Sequence, residues 1–209
     1  MKTYFFGYTE ANPSDPDVMV QNGLTHVGAW QDRIGALGNS GGSNVVTSGG
    51  RDTFDMGLDW LQDTATAPYD VAIILIFTHG TKRGLPIPKC TWEHLAAEVK
   101  AITAGTVLLF LNACHSAYGV DAVKTAFGGR RKAGRNVGVF ASVDYAELSQ
   151  GSSKGSPLAD EGEARLLNHA VLSSMKTFSS NVKVRWAAKR MQRTPKQWVS
   201  ATDLNRSIW

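Results

Sequence analysis

The sequence predicts a doubly wound α/β fold: a three-layer αβα sandwich around a mostly parallel central sheet. Three observations predict it. Residues 71–77 (VAIILIF) and 107–111 (VLLFL) are short apolar runs that end abruptly in small and polar residues. Runs of that kind, bounded by turn signals, read as strands buried on both faces, the mark of a parallel sheet. Strand-like and helix-like stretches alternate along the chain, the order of a doubly wound domain. The length of 209 residues and the 43% apolar content suit one ordinary α/β domain with a substantial core. No repeat or linker splits the chain, so residues 1–209 read as one domain.

Taken in order, residues 3–8 form a short aromatic strand. Residues 10–17 carry two prolines and three acids and read as loop. Mixed periodicity and several glycines allow a weak helix over 18–37, and a second strand is expected at 44–47. Asp52 or Thr53 can cap a helix over 54–64, whose Phe54, Leu58 and Leu61 share one face. The first central strand follows, then a loop with Pro86 and Pro88. Thr91 can cap a helix over 92–102; His94 stands where a full capping box would have Glu or Gln. Gly105 stops that helix and the second central strand follows. A helix at about 118–127 crosses back, and residues 128–136 form a flexible basic loop. Residues 137–143 are another buried strand, and 144–157 are long, polar and rich in Gly and Ser. The clearest helical pattern covers 158–178. The tail, 182–209, holds three of the six tryptophans (Trp186, Trp198 and Trp209), so it is expected to pack on the domain.

The formal charge is +4 and the pI is near 9.1. Much of the basic charge sits at Arg130-Arg131-Lys132 and over 183–193. These clusters permit weak attraction to nucleic acid or acidic partners without demanding it. Two cysteines, Cys90 and Cys114, are too few for a disulfide scaffold, and no zinc spacing exists. Cys90 and His94 could face the same way on a helix, but two ligands do not close a zinc site. No cofactor is expected: neither a Walker phosphate loop nor a G-x-G-x-x-G after a strand is present. The start turns polar after a few apolar residues, unlike a signal peptide, and the apolar runs are far short of a membrane span. The expectation is a soluble, cytoplasmic protein with free thiols and no membrane association.

His79 follows the first central run and Cys114 follows the second. If the runs are neighbours in one parallel sheet, they lie roughly 4.8 Å apart. Both residues then emerge at the carboxyl edge, where open α/β sheets place their chemistry. An imidazole and a thiol there can form a Cys–His pair in which the base helps turn the thiol into a nucleophile. Each residue also has a plain reading: cysteine is among the most buried residues, and a histidine after a strand is commonly a structural hydrogen-bonder. Their joint placement favours the dyad. His115 lies beside the thiol, but neighbours on an extended chain point opposite ways. His26, His94 and His169 read as solvated or packing residues. Gly151–Gly155 spells G-x-S-x-G, but its polar flanks lack the strand and helix that a nucleophile elbow needs.

Thr78-His79-Gly80 after one apolar strand and Asn112-Ala113-Cys114-His115-Ser116 after the next resemble the caspase-like cysteine peptidases. Asn-Ala-Cys is closest to the CHAT-type members, and Cys-His-Ser to metacaspases. The strand near 138–142 with residues 143–148 is similar to the segment that builds the substrate pocket in this clan, and 192–198 faintly resembles a Thr-Pro segment of bacterial members. Ala117 stands where the family usually has Gly, and Asn112 where metacaspases carry Asp. From His79 to Cys114 is 35 positions (114 − 79), short of the roughly 50 of caspases.

The resemblance implies a cysteine endopeptidase in which a Cys–His dyad suffices. Cys114 would attack a peptide carbonyl, and His79 would serve as base for the thiol or acid for the leaving amine. The backbone N–H groups of Gly80 and Cys114 would hold the oxyanion, and Asn112, Ser142 and Asp144 would contact substrate. Asp144 is the candidate partner of a basic side chain. The substrate is a protein or peptide, an activating partner protein or complex is implied for bacterial members, and the basic loop 128–136 is a candidate processing site. Two other functions remain open: a catalytically silent module of the same fold in a larger regulated assembly, and a flavodoxin-like domain binding a small ligand at the strand edge.

Overall fold

The computed structural model describes residues 1–10, 18–129, 135–143, 145, 158–159, 162 and 196–200. Its elements run β1 (Thr3–Thr9), α1 (Val18–Gly35), β2 (Ser40–Val46), α2 (Arg51–Thr64), β3 (Val71–Phe77), α3 (Trp92–Ala101), β4 (Thr106–Asn112), α4 (Ala117–Ala126), β5 (Asn136–Ala141) and β6 (Lys196–Ser200). They build a six-stranded sheet in the order β2-β1-β3-β4-β5-β6. The first five strands are parallel, and β6 closes one edge antiparallel to β5.

Residues of β1, β3 and β4 are buried throughout, and the two-residue side-chain period sorts them between two faces. Tyr4, Phe6, Tyr8, Ile74, Ile76, Leu109, Leu111 and Val139 face a core closed by Phe54, Leu58 and Leu61 of α2, Leu95 and Val99 of α3, and Val120 and Val123 of α4. Phe5, Ile73, Leu75, Phe77, Leu108, Phe110 and Phe140 face the other way, against Val27, Trp30 and Ile34 of α1 and against Leu158 and Ala159. Layers of helix, sheet and helix result, because both faces of a parallel sheet must be covered.

Several boundaries differ from the sequence reading. The second strand begins at Ser40, ahead of the expected 44, so the Gly/Ser stretch is strand. Gly41 is what allows it: a Cβ there would meet the ring of Tyr4 at 2.5 Å. The expected helix over 54–64 starts at Arg51, its cap position is Gly50, and neither Asp52 nor Thr53 caps it. Asp52 sits instead in the first turn, where its charge complements the helix dipole. The weak helix expected over 18–37 is the regular α1. Thr91 does cap α3, its hydroxyl accepting from the His94 N–H at 3.1 Å. Part of the tail forms β6, and Trp198 packs on Phe127 with ring centroids 6.1 Å apart. Residues 130–134 of the basic loop and most of 158–178 lie outside the described residues.

Candidate active site

Parallel register carries β3 and β4 to one rim. Phe77 stands opposite Asn112, the last pair of the ladder, and the Thr78 N–H donates to the Asn112 carbonyl at 3.2 Å. His79 is exposed just beyond this rung, Gly80 is half-buried, and Cys114 is half-buried two residues past Asn112. The two turns touch. A Cβ on Gly80 would collide with the Cys114 carbonyl oxygen and lie 3.1 Å from the Ala113 Cβ. Only a residue without a side chain lets the chain after His79 pass this close to the chain at Cys114. Sheet register thus brings His79, Gly80 and Cys114 to one place from 35 positions apart (114 − 79) in sequence.

Ser142, just past β5, braces the Cys114 turn, and Ser116 of that turn is bonded back to the same segment. Ser142 is buried; its N–H donates to the Leu111 carbonyl at 2.9 Å and its hydroxyl to the Ala113 carbonyl at 3.3 Å. Ser116 accepts from the Val143 N–H at 3.4 Å. Ser116 also begins α4, accepting from the Gly119 and Val120 N–H groups. Cys114 therefore sits just ahead of the amino end of α4. Asn112 is fully buried, so its side chain lies beneath the rim, not on it. Asp144 lies outside the described residues.

His115 breaks the extended-chain assumption made for it: its φ is 57°, left-handed, so the alternation rule does not govern where its ring points. Its Nδ1 lies 2.6 Å from the Tyr145 carbonyl. Glu10, immediately after β1, accepts the Thr78 hydroxyl at 3.1 Å and so reaches the same rim. Nothing in the local letters marks Glu10. Only the adjacency of β1 and β3, with Thr9 opposite Phe77, brings it there.

His26 and His94 serve structure, and His169 lies outside the described residues. His26 is buried and stacks on Phe77 with centroids 5.4 Å apart. His94 bridges α2 and α3: Nε2 lies 2.7 Å from Asp55 Oδ1 and Nδ1 lies 2.9 Å from Arg51 Nη2. A guanidinium only donates, so Nδ1 accepts and Nε2 carries the proton to Asp55. Both ring nitrogens are engaged, which removes His94 as a ligand beside Cys90. Cys90 is buried, and burial first, with Asp55 next, pushes its thiol up to about 12. Among the described residues no group of three or more His, Cys, Asp and Glu could hold a metal ion.

No protein-family model matches this chain, and no curated protein matches it. Solved structures do. Caspase-1 from Spodoptera frugiperda superposes with a TM-score of 0.58 at 14% identity, over 97% of this chain and 87% of that one. drICE superposes with a TM-score of 0.57 at 17% identity, over 98% of this chain and 89% of that one. The fold is caspase-like. Protein GSU0716 from Geobacter sulfurreducens shares it, with a TM-score of 0.57 at 13% identity over 99% of this chain and 98% of that one. In this caspase-like fold the mostly parallel sheet presents the turns after β3 and β4 together, so His79 and Cys114 stand at its carboxyl rim. Among the described residues no helix is long and apolar enough to cross a membrane.

Proposed function

We propose that this chain is a cysteine endopeptidase. Cys114 is its nucleophile, and His79 takes the thiol proton and returns it to the leaving amine. Attack forms a thioacyl-enzyme and releases the amine half of the substrate; water then attacks the thioester and frees the acid half and the thiol. The N–H groups of Gly80 and Cys114 hold the oxyanion in both tetrahedral states. The observation that carries the reading is the close passage of Gly80 against the Cys114 carbonyl, one step past the Phe77–Asn112 rung. That passage brings the peptide after His79 against the peptide at Cys114 at the sheet rim.

The substrate is a protein or peptide, held at the rim above buried Asn112 and Ser142, with Asp144 the partner for a basic side chain before the cut. An activating partner protein belongs to the same reading, as does a cytoplasmic setting. A catalytically silent module is the second reading. A Chaetomium thermophilum Raptor structure aligns with a TM-score of 0.52, yet only 18% of that chain is covered, so the fold occurs within a much longer chain.

Cleavage of a mixed peptide library, with Cys114→Ala and His79→Ala as controls, tests the proposal. Each substitution is expected to lower turnover by roughly 10³-fold or more, and the double variant no further, because the two groups act as a unit. Turnover in the Cys114→Ala protein equal to that of the parent sinks the reading.

A further inference from the structure

The segment after β5 is tied to the Cys114 turn through side chains that take no part in the dyad. Tyr145 is the centre of this group. Its main-chain carbonyl lies 2.6 Å from His115 Nδ1; a carbonyl only accepts, so Nδ1 carries the proton. Its hydroxyl donates to the Asp121 carboxylate of α4. Its ring meets Tyr118 edge-on, with centroids 4.9 Å apart, and lies 3.9 Å from the Lys196 ammonium. Lys196, the first residue of β6, completes the set with a 2.9 Å ion pair to Asp121. Three elements distant in sequence therefore meet on one tyrosine: α4, the segment after β5, and β6.

His115 explains why such a tie is needed. Its φ of 57° is left-handed, a conformation that a residue with a Cβ holds only when its surroundings enforce it. The bond from Nδ1–H to the Tyr145 carbonyl is one such restraint. His115 directly follows Cys114, so the peptide between them sets the direction of the Cys114 carbonyl, the group that Gly80 packs against.

We propose that Asp121, Tyr145 and Lys196 are positioning residues: they hold the Tyr145 carbonyl against His115 and so keep the Cys114 turn in its strained geometry. The importance of that geometry for catalysis rests on the endopeptidase reading; the coupling itself does not. Two measurements on the full chain test it. One is the rate of Cys114 alkylation by iodoacetamide at neutral pH. The other is the His115 ring signal in heteronuclear NMR, which reports the Nδ1–H tautomer.

Asp121→Asn, Lys196→Met and Tyr145→Phe are each expected to slow alkylation roughly three- to tenfold, the scale of one hydrogen bond. Each is also expected to shift the His115 signal. Asp121→Asn with Lys196→Met should be no slower than the slower single variant, and Lys196→Arg should restore the parental values. Tyr145→Phe keeps the ring and serves if the Lys196 variant does not fold. If Asp121→Asn and Tyr145→Phe leave either the rate or the His115 signal at its parental value, the proposal fails. Failure of the dyad reads out separately, as a His79→Ala protein whose Cys114 alkylates at the parental rate.

Discussion

Gly80 is the residue at which local sequence and tertiary contact meet most tightly. A methyl group there would collide with the backbone at Cys114, not with a side chain that could turn away. Gly80→Ala must therefore push two turns apart. Overpacking of that kind costs about 1–3 kcal/mol, and a displaced oxyanion donor lowers turnover by roughly 10²-fold or more. Urea unfolding and peptide cleavage measure the two effects, and cleavage at the parental rate would contradict the arrangement proposed for the rim. The two cysteines differ as sharply. Cys90 is 3% exposed and its thiol is pushed up to about 12, so iodoacetamide at neutral pH should modify half-buried Cys114 and leave Cys90 untouched until the chain unfolds. Mass analysis of a digest reads this directly.

The same burial has a consequence for stability. A thiol that ionises at 9.0 when exposed and at about 12 when folded binds its proton more tightly in the native state. Its contribution is complete below pH 9.0 and is lost as pH rises toward 12. Tyr8, raised from 10.0 to about 12 by burial and then by Glu10, acts in the same direction. Stability should therefore fall from about pH 9 upward, and Cys90→Ala should flatten the start of that fall in urea melts taken across pH.

At the level of elements, α3 carries the clearest local signal and the clearest test. Thr91 takes an extended backbone and accepts the His94 N–H, so Thr91→Ala should cost about 1 kcal/mol and lower the melting temperature by a few degrees. The capping box is incomplete because His94 holds the Glu or Gln position; its ring turns instead to Asp55 and Arg51, joining α3 to α2. The other end of α3 is held by Arg135, whose guanidinium donates to the Lys100 carbonyl at 2.9 Å and to the Ile102 carbonyl. Arg135, from the loop expected to be flexible, is thus a helix stop, stacked 4.9 Å from the centre of Phe127. The elements that resisted reading are those defined by partners. Ser40–Val46 is strand because Tyr4 lies over Gly41, and Lys196–Ser200 is strand because β5 offers it an edge.

For the molecule as a whole, the runs VAIILIF and TVLLFLN determined by themselves that a parallel sheet would be covered on both faces, since residues this apolar must be buried on either side. They also determined that His79 and Cys114 would follow strands. Strand order was not in the letters. That β3 lies between β1 and β4, that Glu10 reaches the rim beside Thr78, and that β6 turns antiparallel all depend on pairings between residues far apart in the chain. The ties from Tyr145 to His115, Asp121 and Lys196 belong to the same class. Periodicity records which side of an element is buried because that is a property of a few consecutive residues. What stands opposite is decided only when the whole sheet closes, and it is there that the arrangement around Cys114 takes its form.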